Sequence, residues 1–312
     1  MPNGEPHDCN HPDSLEESGP VVSIIIPAYN HEEYAEQSVL SAINQSYNNI
    51  EIIIIDDGST DNTARVIEKV VSSYSARRSI TFMRQENCGV TKTLNTALEL
   101  AKGEFVQFLA SDDAYLPDKT RISLKALLSH SDRVAAVYSD GYIINDNNDR
   151  IIRFSDKYIR PLSRDTYKEL LLRNWIPAMG VLYRRSAIEC VGRFDERLRV
   201  EDHDLLLRIS KTHAIVSIPD SLFLYRWHTS NISQNQSVMN KQLALLIAKH
   251  QDMDLYWRFK TALRELSPRS CARLFSPLNL DLLIRSLIKR TQVILTQPKR
   301  DAAEYFAGRS RA

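Results

Sequence analysis

Four cysteines in 312 residues is a small number, and Cys9, Cys88, Cys190 and Cys271 show no C-x-x-C spacing. That argues against a structural zinc site or a disulfide framework and for a reducing compartment. Phosphate-binding glycine loops are missing too. No G-x-G-x-x-G follows the first β-branched run, where the chain reads Pro27-Ala28-Tyr29-Asn30, which counts against a dinucleotide-dependent dehydrogenase. No G-x-x-x-x-G-K-[ST] occurs either, so a P-loop NTPase is disfavoured. No apolar run approaches the ~20 residues of a membrane-spanning helix, and no basic start with an apolar core marks a secretory signal. Charge of one sign is also lacking: 40 Lys and Arg against 39 Asp and Glu give a net +1. No strong global field draws nucleic acid or anionic membrane, so any phosphate binding must come from a local site. The expectation is a soluble, cytoplasmic protein that does not bind nucleic acid.

What the chain does contain is alternation. Residues 1–20 are polar and rich in Pro and Gly, and are read as a disordered leader; His7, Cys9 and His11 fall within it. Val21 to Ile26 is a β-branched run ended by Pro27, suited to a strand buried on both faces. Asn30, with Glu33 three residues on, has the spacing of a helix cap, before Ala35, Val39, Ala42 and Ile43. Ile50 to Ile55 is a second such strand, stopping at Asp56-Asp57-Gly58-Ser59. A helix with Val66, Ile67, Val70 and Val71 on one face follows, then a strand at Thr81–Met83 and a helix through Leu94, Ala97, Leu98 and Ala101. Glu104 to Ala110 is extended and ends at Ser111-Asp112-Asp113. Pro117 is expected to open the next helix, with Leu124, Leu127 and Leu128, before a strand at Val134–Tyr138. This order predicts a mostly parallel sheet flanked by helices.

Beyond Asp140 the pattern loosens. Strands are expected at Ile151-Ile152, at Met179–Tyr183 and at Ile215–Tyr225, the last broken by Pro219. Helices are expected at Tyr167–Leu172 and Asp202–Ile209. From about Gln234 the chain reads as helical, through Leu255–Leu266 and Leu280–Ile294. The organisation expected is a leader at 1–20, an α/β domain at 21–232 and a helical extension at 233–312.

In open parallel sheets, ligands bind at the carboxyl ends of strands. Asp56-Asp57 and Asp112-Asp113 both fall there. Clustered carboxylates repel one another unless a cation or hydrogen-bond donors offset them. Hard oxygen ligands of this kind suit Mg²⁺ or Mn²⁺ held together with substrate phosphates. Each pair taken alone also fits a plain turn, since Asp57-Gly58-Ser59 is good turn chemistry. A phosphate-accepting receiver domain carries similar acids but is much shorter than this chain.

Val-Ser-Ile-Ile-Ile-Pro-Ala-Tyr-Asn at 22–30, with Ile-Ile-Asp-Asp-Gly-Ser-Thr-Asp at 54–61, resembles the opening of the inverting family 2 glycosyltransferases of GT-A (Rossmann-like) fold. Asn87-Cys88-Gly89, Asn95, Ala101-Lys102-Gly103-Glu104-Phe105 and Ser111-Asp112-Asp113 extend the resemblance. So do Leu116-Pro117-Asp118-Lys119, Phe194-Asp195-Glu196, Glu201-Asp202 and Tyr225-Arg226 with His228. It covers about residues 21–232.

The resemblance implies a sugar transferred from a nucleotide-diphosphate donor, UDP above all, to an acceptor hydroxyl on a saccharide or glycolipid. Surface polysaccharide or lipopolysaccharide synthesis is the implied setting. Pro27, Ala28, Tyr29, Asn30 and Asp57 would hold the nucleoside, with Gly89, Lys92 and Ser111 completing the donor site. Asp112 matches the metal-contacting acid of the family's D-x-D motif, and Asp113 and His228 are the other candidate ligands for Mg²⁺ or Mn²⁺. Asp202 matches the catalytic base.

Two departures stand out. Ala110 occupies the place of the first D-x-D acid, and Lys92 lies where relatives often carry Ala-Arg before Asn95; it suits phosphate, base or plain solvent. Trp175, Met179 and Trp227 fit either an acceptor pocket or the core. Arg285, Lys289 and Arg290 beside Leu282, Leu283 and Ile288 fit a helix lying on the inner face of the membrane or a lid on the domain. Two alternatives remain for the whole chain. A sugar nucleotidyltransferase would need an early basic glycine-rich loop, which 27–33 lacks; a non-catalytic scaffold is favoured only by Ala110.

Overall fold

The computed structural model describes residues 19–76, 78–157, 165–172, 174–229 and 231–250. Most of the leader and the apolar stretches after 250, including Cys271, Arg285, Lys289 and Arg290, lie outside them. The described residues form two compact units, one of residues 19–157 with 175–229, the other of 165–174 with 231–250.

In the first unit, β1 (Val22–Ala28), α1 (Ala35–Ile43), β2 (Ile50–Asp56), α2 (Thr63–Tyr74), β3 (Ser79–Arg84), α3 (Val90–Leu100) and β4 (Phe105–Phe108) alternate. β1 pairs in parallel with β2 on one side and β4 on the other, and β3 joins β2 in parallel. Ile24, Ile26, Ile52 and Ile54 meet Ala35, Val39, Ile67 and Val70 of α1 and α2 in one buried cluster. Ile25, Ile53 and Ile55, also buried, point to the opposite face because strand side chains alternate. Each such isoleucine contributes about 1.5–3 kcal/mol by leaving water, which explains why these strands are isoleucine on both faces.

β1 does not end at Pro27. Pro27 pairs with Ile55 of β2, while the pairing with β4 stops at Ile25. With a strand along only one side, the missing proline N–H breaks no ladder on the other. Asn30 is not a helix cap. It sits in the left-handed region at φ 52°, and its side chain accepts from the Thr60 N–H at 2.8 Å. The helix begins only at Ala35.

The rest of this unit adds β5 (Ala114–Tyr115), α4 (Lys119–Leu128), β6 (Val134–Ile144), β7 (Arg150–Arg153), α5 (Phe154–Lys157), β8 (Val181–Arg184) and β9 (Ala214–Arg226). The helix after Pro117 starts two residues later than the proline. The sheet order is β3-β2-β1-β4-β8-β6-β9-β5, with β7 on β6. Beyond β4 the sheet is mixed: β8 is antiparallel to β4 and β6, and β9 is parallel to β6. Two differences from expectation have identifiable physical causes. β6 runs on past Tyr138 through Ser139-Asp140-Gly141, because the buried Asp140 carboxylate is satisfied by Ser155 Oγ at 2.6 Å and Arg153 at 3.1 Å. β9 continues through Pro219, where the register against β6 skips from Ser217 to Ser221; the bulge accommodates a residue that cannot donate to the ladder.

Helices α6 (Thr166–Leu172), α7 (Arg185–Cys190), α8 (Glu201–Ser210) and α9 (Gln236–Lys249) complete the elements. α6 and α9 belong to the second unit, and α9 begins with the Asn235 side chain accepting from Val238 N–H at 3.1 Å. No helix among the described residues is long and apolar enough to cross a membrane.

Candidate active site

The order β2-β1-β4 places the switch in strand order beside β1, and a crevice opens at the carboxyl ends of strands at such a point. Three loops rise there, from β1 (Tyr29-Asn30-His31), β2 (Asp57) and β4 (Ser111-Asp112). Neighbouring strands lie ~4.8 Å apart, so the outer two loops are separated by roughly 10 Å.

The β1 and β2 loops are stitched together. His31 N–H donates to Thr63 Oγ1 at 2.7 Å, and Glu32 Oε2 accepts from Asn62 N–H at 2.8 Å. The Ala28 carbonyl accepts from Asp57 N–H at 2.8 Å. Ala28 is therefore buried at the strand end, while Tyr29 is exposed. Asp56 turns inward to Arg84, whose Nε lies 3.1 Å away. Asp57, also buried, turns to the start of α3 instead. Gly58 permits that turn: its φ is +73°, and a Cβ there would come 2.7 Å from the Asn87 nitrogen.

Asp57 sits in a ring of donors at the start of α3. Its Oδ1 accepts from Gln85 Nε2 at 2.8 Å and from Cys88 N–H at 2.9 Å, and its Oδ2 accepts from Gly89 N–H at 2.8 Å. Gly89, at φ +91°, aims that N–H. Burial pushes the Asp57 carboxyl up, but the bonds from Gln85, Cys88 and Gly89 together hold it below its ordinary value. Lys92 is exposed one turn into α3.

The second cluster centres on Asp112. Its Oδ2 lies 3.0 Å from His228 Nε2 and 3.7 Å from His31 Nε2. His31 Nδ1 and Ser111 Oγ share a hydrogen bond of 2.8 Å, which fixes the ring with Nε2 towards Asp112. The ligand atoms of His31, Asp112 and His228 all lie within 4.8 Å of one another. Tyr34 packs on the His228 ring, with centroids 5.1 Å apart. Burial raises Asp112, and the His228 hydrogen bond with the charges of both imidazoles brings it below its ordinary value. Burial lowers His31, partly countered by Asp112, which favours the neutral, ligand-competent imidazole at neutral pH.

Asp113 points elsewhere. Its Oδ1 accepts from Arg226 N–H at 2.8 Å, and burial with the charge of Asp112 pushes its carboxyl well up. Arg226 is 1 % exposed and ties the turn to its surroundings. Its Nε donates to the Asp112 carbonyl at 3.0 Å, and its Nη2 donates to Gln37 Oε1 at 2.5 Å and Asn148 Oδ1 at 2.7 Å.

Asp202 stands in the first turn of α8. The loop before that helix is pinned to α3: Asn95 Nδ2 donates to the Phe194 carbonyl, Phe194 N–H donates back to Asn95 Oδ1, and Thr91 Oγ1 donates to the Leu198 carbonyl. Burial, then the charges of Asp202 and Glu201, raise the Tyr183 phenol on β8. Burial and the neighbouring Asp202 push Glu201 up to about 8, so near neutrality Glu201 holds its proton.

A family model described as glycosyl transferase family 2 matches residues 23–192. The chain belongs to that family. A glycosyltransferase of Rickettsia felis is 31% identical over 232 residues, covering 73% of this chain and 37% of the relative. Chondroitin synthase of Pasteurella multocida is 32% identical over 193 residues, 62% of this chain and 19% of the relative. This family member therefore spans about a third of the first of those proteins and a fifth of the second.

Two solved structures share its fold. TarS 1–349 of S. aureus in complex with UDP-GlcNAc has a TM-score of 0.55 at 20% identity, covering 73% of this chain and 65% of that one. The mannosyltransferase PcManGT of Pyrobaculum calidifontis, in complex with GDP-Man and Mn²⁺, has a TM-score of 0.57 at 19% identity, covering 94% and 80%. The fold is that of the GT-A glycosyltransferases.

Within the family member's site, Ser111, Asp112 and His228 come together, and Asp57 with Gly89 forms the neighbouring cradle. Asp113 is turned away from both. Met179 belongs to the core cluster, Trp175 is buried with its ring 5.4 Å from Tyr138, and the half-buried Trp227 lies under Lys157. Sequence reasoning missed His31, Gln85, Tyr34 and the part played by Arg226. His31 carried one signal, an imidazole directly after the first strand-end loop. Arg226 carried only its place beside His228 in the family resemblance, which did not indicate that it is buried.

Proposed function

We propose that this chain is an inverting, metal-dependent glycosyltransferase that moves a sugar from a nucleotide diphosphate, UDP, to an acceptor hydroxyl. The observation that carries this reading is the Asp112 carboxylate between two imidazoles, one strand from the β1 loop and two from the Asp57 donor ring. Family membership and the UDP-GlcNAc complex of TarS support the donor class. The likeness to chondroitin synthase supports a saccharide or glycolipid acceptor and a place in surface polysaccharide or lipopolysaccharide synthesis. Residues 21–232 would form the catalytic domain and 233–312 a helical extension, working in the cytoplasm or at the inner face of the membrane.

Asp112 and His228 offer an oxygen and a nitrogen at the spacing one divalent ion can bridge, so the residues present fit a divalent ion, Mn²⁺ better than Mg²⁺. Such an ion, when bound, neutralises the departing diphosphate. The chain's own residues do the rest. Pro27, Tyr29 and Asn30 shape the wall against which the nucleoside rests, and Asp57, kept ionised by its three donors, accepts a hydrogen bond from the base. Ser111, Gly89 and Lys92 line the path to the phosphates. Asp202 takes the proton from the acceptor hydroxyl as that oxygen bonds to the anomeric carbon and the carbon–oxygen bond to the diphosphate breaks. Attack opposite the leaving group inverts the anomeric centre.

The test is donor turnover with and without Mn²⁺. Released nucleoside diphosphate supports transfer. Released pyrophosphate would mean a nucleotidyltransferase, and no turnover with any sugar nucleotide would mean a scaffold.

A further inference from the structure

Ala110 stands where the D-x-D resemblance expects a first acid, which leaves Asp112 as that motif's carboxylate. Ala110 offers no side-chain donor, and its carbonyl already accepts from Ser38 Oγ at 3.1 Å and Asp113 N–H at 3.1 Å. Asp113 is no substitute, since its side chain is buried and bonded to Arg226 N–H. What faces the remaining carboxylate is His31. Its Nε2 lies 3.7 Å from Asp112 Oδ2, and His228 Nε2 lies 3.0 Å from the same oxygen. Donors bound to one ion through bonds of about 2.1 Å sit roughly 3–4 Å apart; these three lie within 4.8 Å of one another, so side-chain shifts of under about 1 Å would bring them to bonding separation.

Both imidazoles are held for that task. Ser111 Oγ engages His31 Nδ1 at 2.8 Å, the kind of outer contact that orients a ligating ring. The rings of His31 and His228 meet edge to face at 86°, with centroids 5.8 Å apart.

We infer that His31 is a third metal ligand that replaces the missing acid, and that the His31–Asp112–His228 set selects a divalent transition ion over Mg²⁺. Two nitrogens and one oxygen suit Mn²⁺ poorly relative to Co²⁺ and suit Mg²⁺ least, because imidazole affinity rises along the Mn²⁺ to Co²⁺ series while Mg²⁺ keeps to oxygen. The inference deepens the proposed function by naming the class of ion at its metal site, and rests on Asp112 and His228 holding that ion.

The experiment is calorimetric titration of the full chain with Co²⁺, Mn²⁺ or Mg²⁺ alone, comparing wild type with His31→Ala and His31→Gln. His7, Cys9 and His11 near the N-terminus are further donor side chains in the full chain, so the difference between wild type and variant isolates this site. The expected result is a site at least tenfold tighter for Co²⁺ than for Mg²⁺, whose Co²⁺ affinity falls at least tenfold in both variants. Visible absorption of the wild-type Co²⁺ complex is a second readout and does not depend on any variant folding. A spectrum identical to that of aqueous Co²⁺, or His31 variants that keep wild-type Co²⁺ affinity, overturns the inference. The proposed function fails separately: a chain that binds Co²⁺ as inferred yet cleaves no sugar nucleotide loses that function and keeps the metal site.

Discussion

His228 Nε2 lies 3.0 Å from Asp112 Oδ2 although 116 residues separate them in the chain. The contact joins the end of β9 to the loop after β4, and the pair is buried under Tyr34. His228→Ala removes the partner that holds the carboxylate in place. The expected effect is a 10–100-fold loss of metal-dependent turnover, measured as nucleoside diphosphate release across a Mn²⁺ titration. Wild-type Mn²⁺ dependence in the variant would remove His228 from the site.

Asp202→Asn keeps the shape of the α8 turn but cannot accept the acceptor's proton. Transfer should fall at least a thousandfold with donor affinity nearly unchanged, because a base acts in the transition state and little in the ground state. Single-turnover rates and calorimetric donor binding separate the two. Near-normal turnover would end the base assignment.

Asp57 links the cradle to pH. Its folded-state carboxyl is held below its ordinary value, so the stability it contributes is fully present above the unfolded value near ~3.9 and is lost as pH falls through the folded one. Urea denaturation of wild type and Asp57→Asn should show a constant stability gap from pH 7 to about pH 4 that closes below it. A gap that does not close in acid contradicts the hydrogen-bonding account.

Lys119 contributes a penalty where Asp57 contributes a gain, in a higher pH window. It is fully buried in the first turn of α4, near Gln107 Oε1 at 3.4 Å and Ser123 Oγ at 3.2 Å, and burial lowers it to about 7. Folding is therefore penalised below pH 7, and the penalty is relieved as pH rises from 7 towards the unfolded value near ~10.4. Lys119→Met should be more stable than wild type at pH 6, with the advantage shrinking through pH 9. Equal differences at both values would show that the ammonium is not desolvated.

Arg226→Met should destabilise the chain by about 3–5 kcal/mol, the usual cost of removing one member of a buried charged network. Denaturant midpoints measure it. The variant should also lose metal affinity, since Arg226 Nε holds the Asp112 carbonyl.

The sequence alone carried the βα alternation and the strand-end acids, because isoleucine runs and Asp-Gly turns are local signals that need no partner. Where an expectation missed, the missing information was non-local. Asn30 looked like a cap until the Thr60 loop claimed its side chain. The strand from Val134 was expected to stop at Tyr138, yet β6 runs on because Ser155 and Arg153 satisfy Asp140 inside it. Pro219 looked like a break, yet a bulge against β6 absorbs it.

The same division runs through the candidate site. Which strands exist, and that Asp57 and Asp112 stand at their ends, follows from side-chain volume and backbone preference residue by residue. That Asp112 meets His31 and His228 while its neighbour Asp113 is drawn to Arg226 was settled only by tertiary structure. Adjacent residues on a turn point in different directions, and only the packed sheet fixes which of them faces the crevice.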